Sequence, residues 1–144
     1  MQDHFARRRD VTCAGVHLLL DMRGVAFELL NSVEEIGAIL RLAATSAGAT
    51  VISDNLHPFT PNGVSGAVIL AESHISIHTW PDDGIAALDV FMCGETKPEV
   101  AVLLLNTYFK PVRFEVLEIL RCRADGGPME IRPMCLAELH QLAA

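Results

Sequence analysis

The residue types that could do chemistry concentrate between Glu72 and Cys93. The run Glu72-Ser73-His74-Ile75-Ser76-Ile77-His78-Thr79-Trp80-Pro81 carries hydroxyls, imidazoles and a carboxylate; after a turn, Ala86-Ala87-Leu88-Asp89-Val90-Phe91-Met92-Cys93-Gly94 ends on a thiol. His74 and His78 have the i, i+4 spacing that would place two metal ligands together on a helix. The strict polar–apolar alternation of Ser73 to Thr79 says strand instead, with His74, Ser76 and His78 on one side and Ile75 and Ile77 on the other. Four strand residues span about 13 Å, too far for two bonds of about 2 Å to one ion, so no metal is expected. Taken singly, such histidines are half-exposed strand residues and such a cysteine a small core hydrophobe.

The elements that must position these groups follow from periodicity and punctuation. Ala14 to Asp21 predicts a first strand; Ser32 with Glu35 forms a capping box for a helix whose Ile36, Ile39, Leu40 and Ala43 share one face, and Gly48 ends it. Thr50 to Asn55 predicts a second strand. His57 to Gly63 is a Pro/Gly-broken loop, Val64 to Ala71 an apolar β-branched run, and Pro81-Asp82-Asp83-Gly84 a turn before a strand over Ile85 to Cys93. Thr96 with Glu99 reads as a second capping box, opening a helix with Val100, Leu103, Leu104 and Thr107 that Pro111 stops; Val112 to Leu120 supplies a last strand, and Leu136, Leu139 and His140 suggest a short terminal helix.

This order predicts an α+β fold: a two-layer α/β sandwich with two main helices on one face of an antiparallel sheet. Several strands are apolar on both sides, including Val68 and Leu70 against Ile69, so the second face calls for burial by another copy, a homodimer. At 144 residues the whole chain, 1–144, reads as a single domain that buries about 70% of its unfolded surface.

Bulk composition excludes other classes. A net charge of −7 argues against nucleic-acid binding, which needs clustered Lys and Arg. Only Arg7, Arg8 and Arg9 cluster, ahead of Asp10 and a segment interrupted by His17, which predicts a solvated tail and not a signal peptide. The absence of a long apolar stretch argues against membrane spans. Cys13, Cys93, Cys122 and Cys135 contain no C-x-x-C pair and predict reduced thiols, in a cytoplasmic protein.

Taken together, Gly63-Val64-Ser65-Gly66, Glu72-Ser73-His74, His78-Thr79-Trp80-Pro81 and Phe91-Met92-Cys93-Gly94 resemble, in order, the signature of the prokaryotic S-adenosylmethionine decarboxylases. The resemblance runs from Gly15-Val16-His17-Leu18-Leu19 to about Leu120. It implies an inactive proenzyme, a dimeric α/β sandwich, that cleaves itself between Glu72 and Ser73, turning Ser73 into a pyruvoyl cofactor. Ser73 would attack the Glu72 carbonyl, His78 would serve as base and Ser65 would assist processing. Ser73 and His78 differ by an odd number and would face opposite sides of a regular strand, so the reading requires a bend at Ser73, where strain would help the amide open.

The mature enzyme would bind its substrate as a Schiff base and lose carbon dioxide, with Cys93 as proton donor. The resemblance further implies that Phe59 stacks on the substrate adenine and that Asp82, one methylene shorter than the usual glutamate, meets the ribose hydroxyls. The product, decarboxylated S-adenosylmethionine, donates aminopropyl groups in polyamine biosynthesis. Some relatives have been repurposed for L-arginine or L-ornithine, the second expectation; a non-catalytic dimeric ligand-binding domain is the third. The partner in the first two is a small molecule, with no nucleic acid and no membrane.

Overall fold

The structure, a computed structural model, describes residues 13–144, so the Arg7–Arg9 cluster lies outside the described residues. Seven strands form one antiparallel sheet: β1 Cys13–Arg23, β2 Val51–Pro58, β3 Val64–Leu70, β4 Ser73–Trp80, β5 Ile85–Met92, β6 Arg113–Arg123 and β7 Glu130–Met134. Their order is β2-β3-β4-β5-β1-β6-β7, so the β2–β5 meander is continued by β1, which inserts between β5 and β6. Helices α1 Val33–Ser46, α2 Pro98–Phe109 and α3 Leu136–Ala143 complete the fold.

Local chemistry explains most boundaries. Ser32 Oγ accepts from the Glu35 amide at 3.3 Å, satisfying one of the orphan donors that open α1. Gly48 takes a left-handed φ of 88° as the chain leaves the helix, where a side chain would be strained. The expected Thr96–Glu99 capping box does not form. α2 begins at Pro98, whose fixed φ suits a first helical position, while Thr96 Oγ1 donates to the Cys93 carbonyl at 2.7 Å and closes the turn after β5.

One expectation about the layers is corrected. The sheet gains β7, an edge strand that tolerates Pro133 because the missing amide costs little there. The expected short terminal helix forms over Leu136–Ala143, with Leu139 entirely buried.

The two faces of the sheet differ sharply. Leu18, Leu20, Ile75, Ile77, Leu88 and Val90 point inward and join Ile36, Leu40, Leu105 and Phe109 of the helices in the core, each 8% exposed or less. Each such burial stabilises the fold by about 1.5–3 kcal/mol. The alternate residues, His17, Leu19 and Asp21 of β1, His74, Ser76 and His78 of β4, and Ala87, Asp89 and Phe91 of β5, lie on the outer face, half-buried or exposed. Among the described residues no helix is long and apolar enough to cross a membrane.

Candidate active site

The outer face and one end of the sheet hold the groups singled out above, in two separate clusters. The first sits where β3 turns into β4. Leu70 pairs with Ser73, leaving Ala71 and Glu72 as a two-residue connection, and Glu72 adopts a φ of 59°. For a residue with a Cβ that left-handed conformation costs about 1 kcal/mol. The Cys93 thiol, at the end of β5, donates toward the Glu72 carbonyl oxygen at 3.5 Å and lies 3.5 Å from Glu72 Oε2 and 3.8 Å from Ser73 Oγ. Hydroxyl, thiol and a carbonyl on a strained turn thus meet at one point.

The second cluster sits at the opposite end of the same strands. Ser65 and His78 are cross-strand partners, and Ser65 Oγ lies 2.8 Å from His78 Nδ1. The register is forced by Gly66: a Cβ there would stand 2.3 Å from the Asn55 carbonyl oxygen on β2, so only glycine lets the strands close beside Ser65. Asn55, His57, Ser65, Gly66, Ala67, Ser76 and His78 line an open depression of about 470 Å³.

The expected bend at Ser73 is absent. The chain turns at Glu72, and Ser73 enters a regular ladder with its side chain on the buried inner side, while His78 faces outward. Five residues of strand separate them, about 16 Å. Strand parity therefore holds, and one chain does not bring Ser73 to His78.

The two expected substrate contacts lie near the second cluster. Phe59 is half exposed at the end of β2, its ring edge-on to His57 at 4.8 Å between centroids. Asp82 stands in the short turn after β4 and accepts from Asn62 Nδ2 at 3.4 Å; Asn62 Oδ1 accepts from Asn31 Nδ2 at 3.3 Å. Gly63, at a φ of 111°, closes this loop with its amide on Asn31 Oδ1 at 3.0 Å. Trp80 presents a half-exposed ring beside His78.

One group was not anticipated. Asp89 Oδ1 accepts from His74 Nε2 at 2.7 Å and His17 Nε2 at 2.9 Å, and Ser76 Oγ donates to Oδ2. Burial pushes the Asp89 carboxyl up, but the hydrogen bonds from Ser76, His17 and His74 outweigh it and hold the group below the ordinary carboxylate range. His74 thus belongs with Asp89 on the neighbouring strand and not with His78 along its own.

A hairpin of this two-layer α/β sandwich thus holds a hydroxyl, a thiol and the carbonyl of a residue in the left-handed region. Comparison with known proteins gives the family. The S-adenosylmethionine decarboxylase family profile matches residues 16–122. An S-adenosylmethionine decarboxylase proenzyme of Thermodesulfovibrio yellowstonii is 46% identical over 108 residues, 74% of this chain and 80% of the relative. One from Methanococcus maripaludis is 42% identical over 117 residues, 81% of this chain and 96% of the relative. The crystal structure of the adenosylmethionine decarboxylase from Aquifex aeolicus superposes with a TM-score of 0.75 at 36% identity, covering 81% of this chain and 98% of that one. A Trypanosoma brucei AdoMetDC monomer shares the fold, with a TM-score of 0.51 at 20% identity over 72% of this chain and 45% of its own. The chain belongs to the S-adenosylmethionine decarboxylase family.

Proposed function

We propose that this chain is a single-domain proenzyme that cleaves itself between Glu72 and Ser73 and then decarboxylates S-adenosylmethionine. The observation that carries this reading is the meeting of Ser73 Oγ, the Cys93 thiol and the Glu72 carbonyl at one strained turn. In the cleavage, Ser73 Oγ attacks the Glu72 carbonyl carbon and the Cys93 S–H stabilises the developing oxyanion. The C–N bond breaks, the nitrogen takes a proton, and an ester replaces the amide. Removal of the Ser73 Cα proton then expels the Glu72 carboxylate by elimination, and the dehydroalanine left behind tautomerises and hydrolyses to a pyruvoyl group and ammonia. The products are residues 1–72 and 73–144.

The donor set fits that group: a serine at the head of a strand and a thiol beside it. When formed, the pyruvoyl group supplies a carbonyl that draws electrons from the substrate's α-carbon as carbon dioxide leaves. Cys93, at the end of β5 and next to that position, returns a proton to the substrate carbon. Phe59 offers a ring for stacking on adenine, which contributes about 1–3 kcal/mol by analogy with base stacking. Asp82, with Asn62 beside it, offers acceptors for the ribose hydroxyls.

Ser65 and His78, and with them Phe59 and Asp82 at the same end of the sheet, need a second copy to take part. Because about 16 Å of strand separates Ser73 from the His78 of its own chain, we assign the base to His78 of the partner subunit in a homodimer. Two outer faces stacked with their sheets turned end for end bring the turn of one protomer to the Ser65–His78 pair of the other. The apolar outer residues Leu19 and Ile69, more than a third exposed, gain cover in the same arrangement.

Carbon dioxide release by the purified protein, offered S-adenosylmethionine, arginine and ornithine in parallel, tests the substrate. Release from S-adenosylmethionine is expected; release from an amino acid alone contradicts the assignment.

A further inference from the structure

The Asp89 network is unused by the chemistry above, yet it grips the residue next to the cleavage site. An ionised carboxylate only accepts hydrogen bonds, so His74 and His17 both reach Asp89 with protonated Nε2 atoms. Arg121 fixes the same tautomer independently: its Nη1 lies 3.4 Å from His17 Nδ1, and a guanidinium can only donate. His17, His74 and Asp89 have the closeness of a metal site, with ligand atoms all within 4.8 Å. Against that use, Arg121 donates to His17 Nδ1, which leaves the proton of a neutral His17 on Nε2, the atom that would have to face the ion.

The His74 ring is held on its faces as well. It stacks on Phe91 at 5.7 Å and 25° between planes, and meets the edge of His17 at 5.8 Å. The Arg121 guanidinium lies 5.2 Å from the Phe91 ring centroid. This is a dense set of restraints for the second residue of a strand.

Its position in the chain gives the restraint a purpose. While the 72–73 peptide is intact, the Ala71–Glu72 connection ties the head of β4 to β3. Once that bond is cut, Ser73 is a chain end and His74 the second residue of a new chain, and strand ends fray unless tied down. We propose that the Asp89-centred network is the anchor that keeps the cofactor-bearing end of β4 in register after cleavage. His74 and Asp89 are thus positioning residues for decarboxylation and dispensable for the cut itself. The inference rests on the cleavage proposed above.

The test compares wild type, His74→Ala, His74→Gln and Asp89→Asn, with Ser73→Ala as the uncut reference. His74→Ala is expected to cleave to within about twofold of wild type, while kcat falls about tenfold to a hundredfold and KM changes less, as misplacement of a reacting group by about 1 Å would cause. Hydrogen exchange at residues 74–76 should be faster in cleaved His74→Ala than in cleaved wild type, and slow in uncut Ser73→Ala with or without His74→Ala. Gln carries an Nε2 donor that can reach Asp89, so His74→Gln should recover part of kcat and of the protection. Asp89→Asn reports on the same anchor from the other side should His74→Ala fold poorly. Wild-type kcat and protection in His74→Ala, or cleavage lost as deeply as turnover, overturns the anchor alone. A wild type that never cuts overturns both readings.

Discussion

The inner and outer faces of the sheet are built from the same strands, one residue apart, and do opposite work. On β4, Ile75 and Ile77 are fully buried against the helices, whereas His74, Ser76 and His78 stand on the far side. The inner face stabilises the fold through apolar area, and the outer face holds imidazoles, hydroxyls and a carboxylate in fixed mutual geometry. Strand parity puts His74, Ser76 and His78 on the outer face and Ser73 on the inner side, which keeps Ser73 away from the His78 of its own chain. The lesson is that a face too polar for a core and too ordered for a free surface is a place to look for a partner.

The sharpest way to break this comparison is all-or-none. Ser73→Ala and His78→Ala should each remain uncut when expressed alone. Co-expressed, they should yield mixed dimers in which the His78→Ala chain is cut by His78 of the partner subunit, seen by intact mass as a fragment pair from that chain only. A mixed population that stays uncut contradicts the shared site.

A smaller effect is expected at the thiol. Cys93→Ala should lower kcat by about a hundredfold or more, the scale of a lost general acid, and slow the appearance of fragments because the Glu72 carbonyl loses its donor. Turnover at the wild-type rate would remove Cys93 from the mechanism.

Stability should divide along the faces. Ile77→Ala, opening space in the fully buried core, should cost about 2–5 kcal/mol by chemical denaturation, whereas His78→Gln on the outer face should stay within about 0.5 kcal/mol. Equal losses would mean that the outer face carries as much of the fold as the core.

The smallest effect concerns pH. Asp89 is held below its ordinary 3.8 in the fold, so it contributes stability that is present above about pH 4 and lost as pH falls through its folded value. Asp89→Asn should be less stable near neutrality but decline less steeply in acid, as thermal melts across that range would register. An unchanged acid slope would mean that Ser76, His17 and His74 do not hold the charged form.

Much of this is legible in the amino-acid sequence. The alternation of Ser73 to Thr79 reports both the strand and its two faces because a period of two has one structural meaning, and Pro81-Asp82-Asp83-Gly84 does turn the chain, with Gly84 in the left-handed region. The blocks around Ser65, Ser73, His78 and Cys93 marked the family, which the relatives bear out. The expected bend at Ser73 does not occur because the chain turns one residue earlier, at Glu72, and Ser73 already lies in the ladder opposite Leu70. β7 was hidden by Pro133, and the start of α2 by a threonine that caps a turn instead of a helix. The Asp89 network could not be read at all: His17 and Asp89 are 72 positions apart and meet only because β1 lies beside β5 in the sheet.

The central claim is that the main chain breaks ahead of Ser73, and the mass of freshly purified, folded wild-type protein tests it most directly. The account predicts fragments corresponding to residues 1–72 and 73–144, the second lacking a free amino terminus and reacting with a carbonyl reagent. A single polypeptide of 15.7 kDa that persists without a carbonyl-reactive end would contradict it.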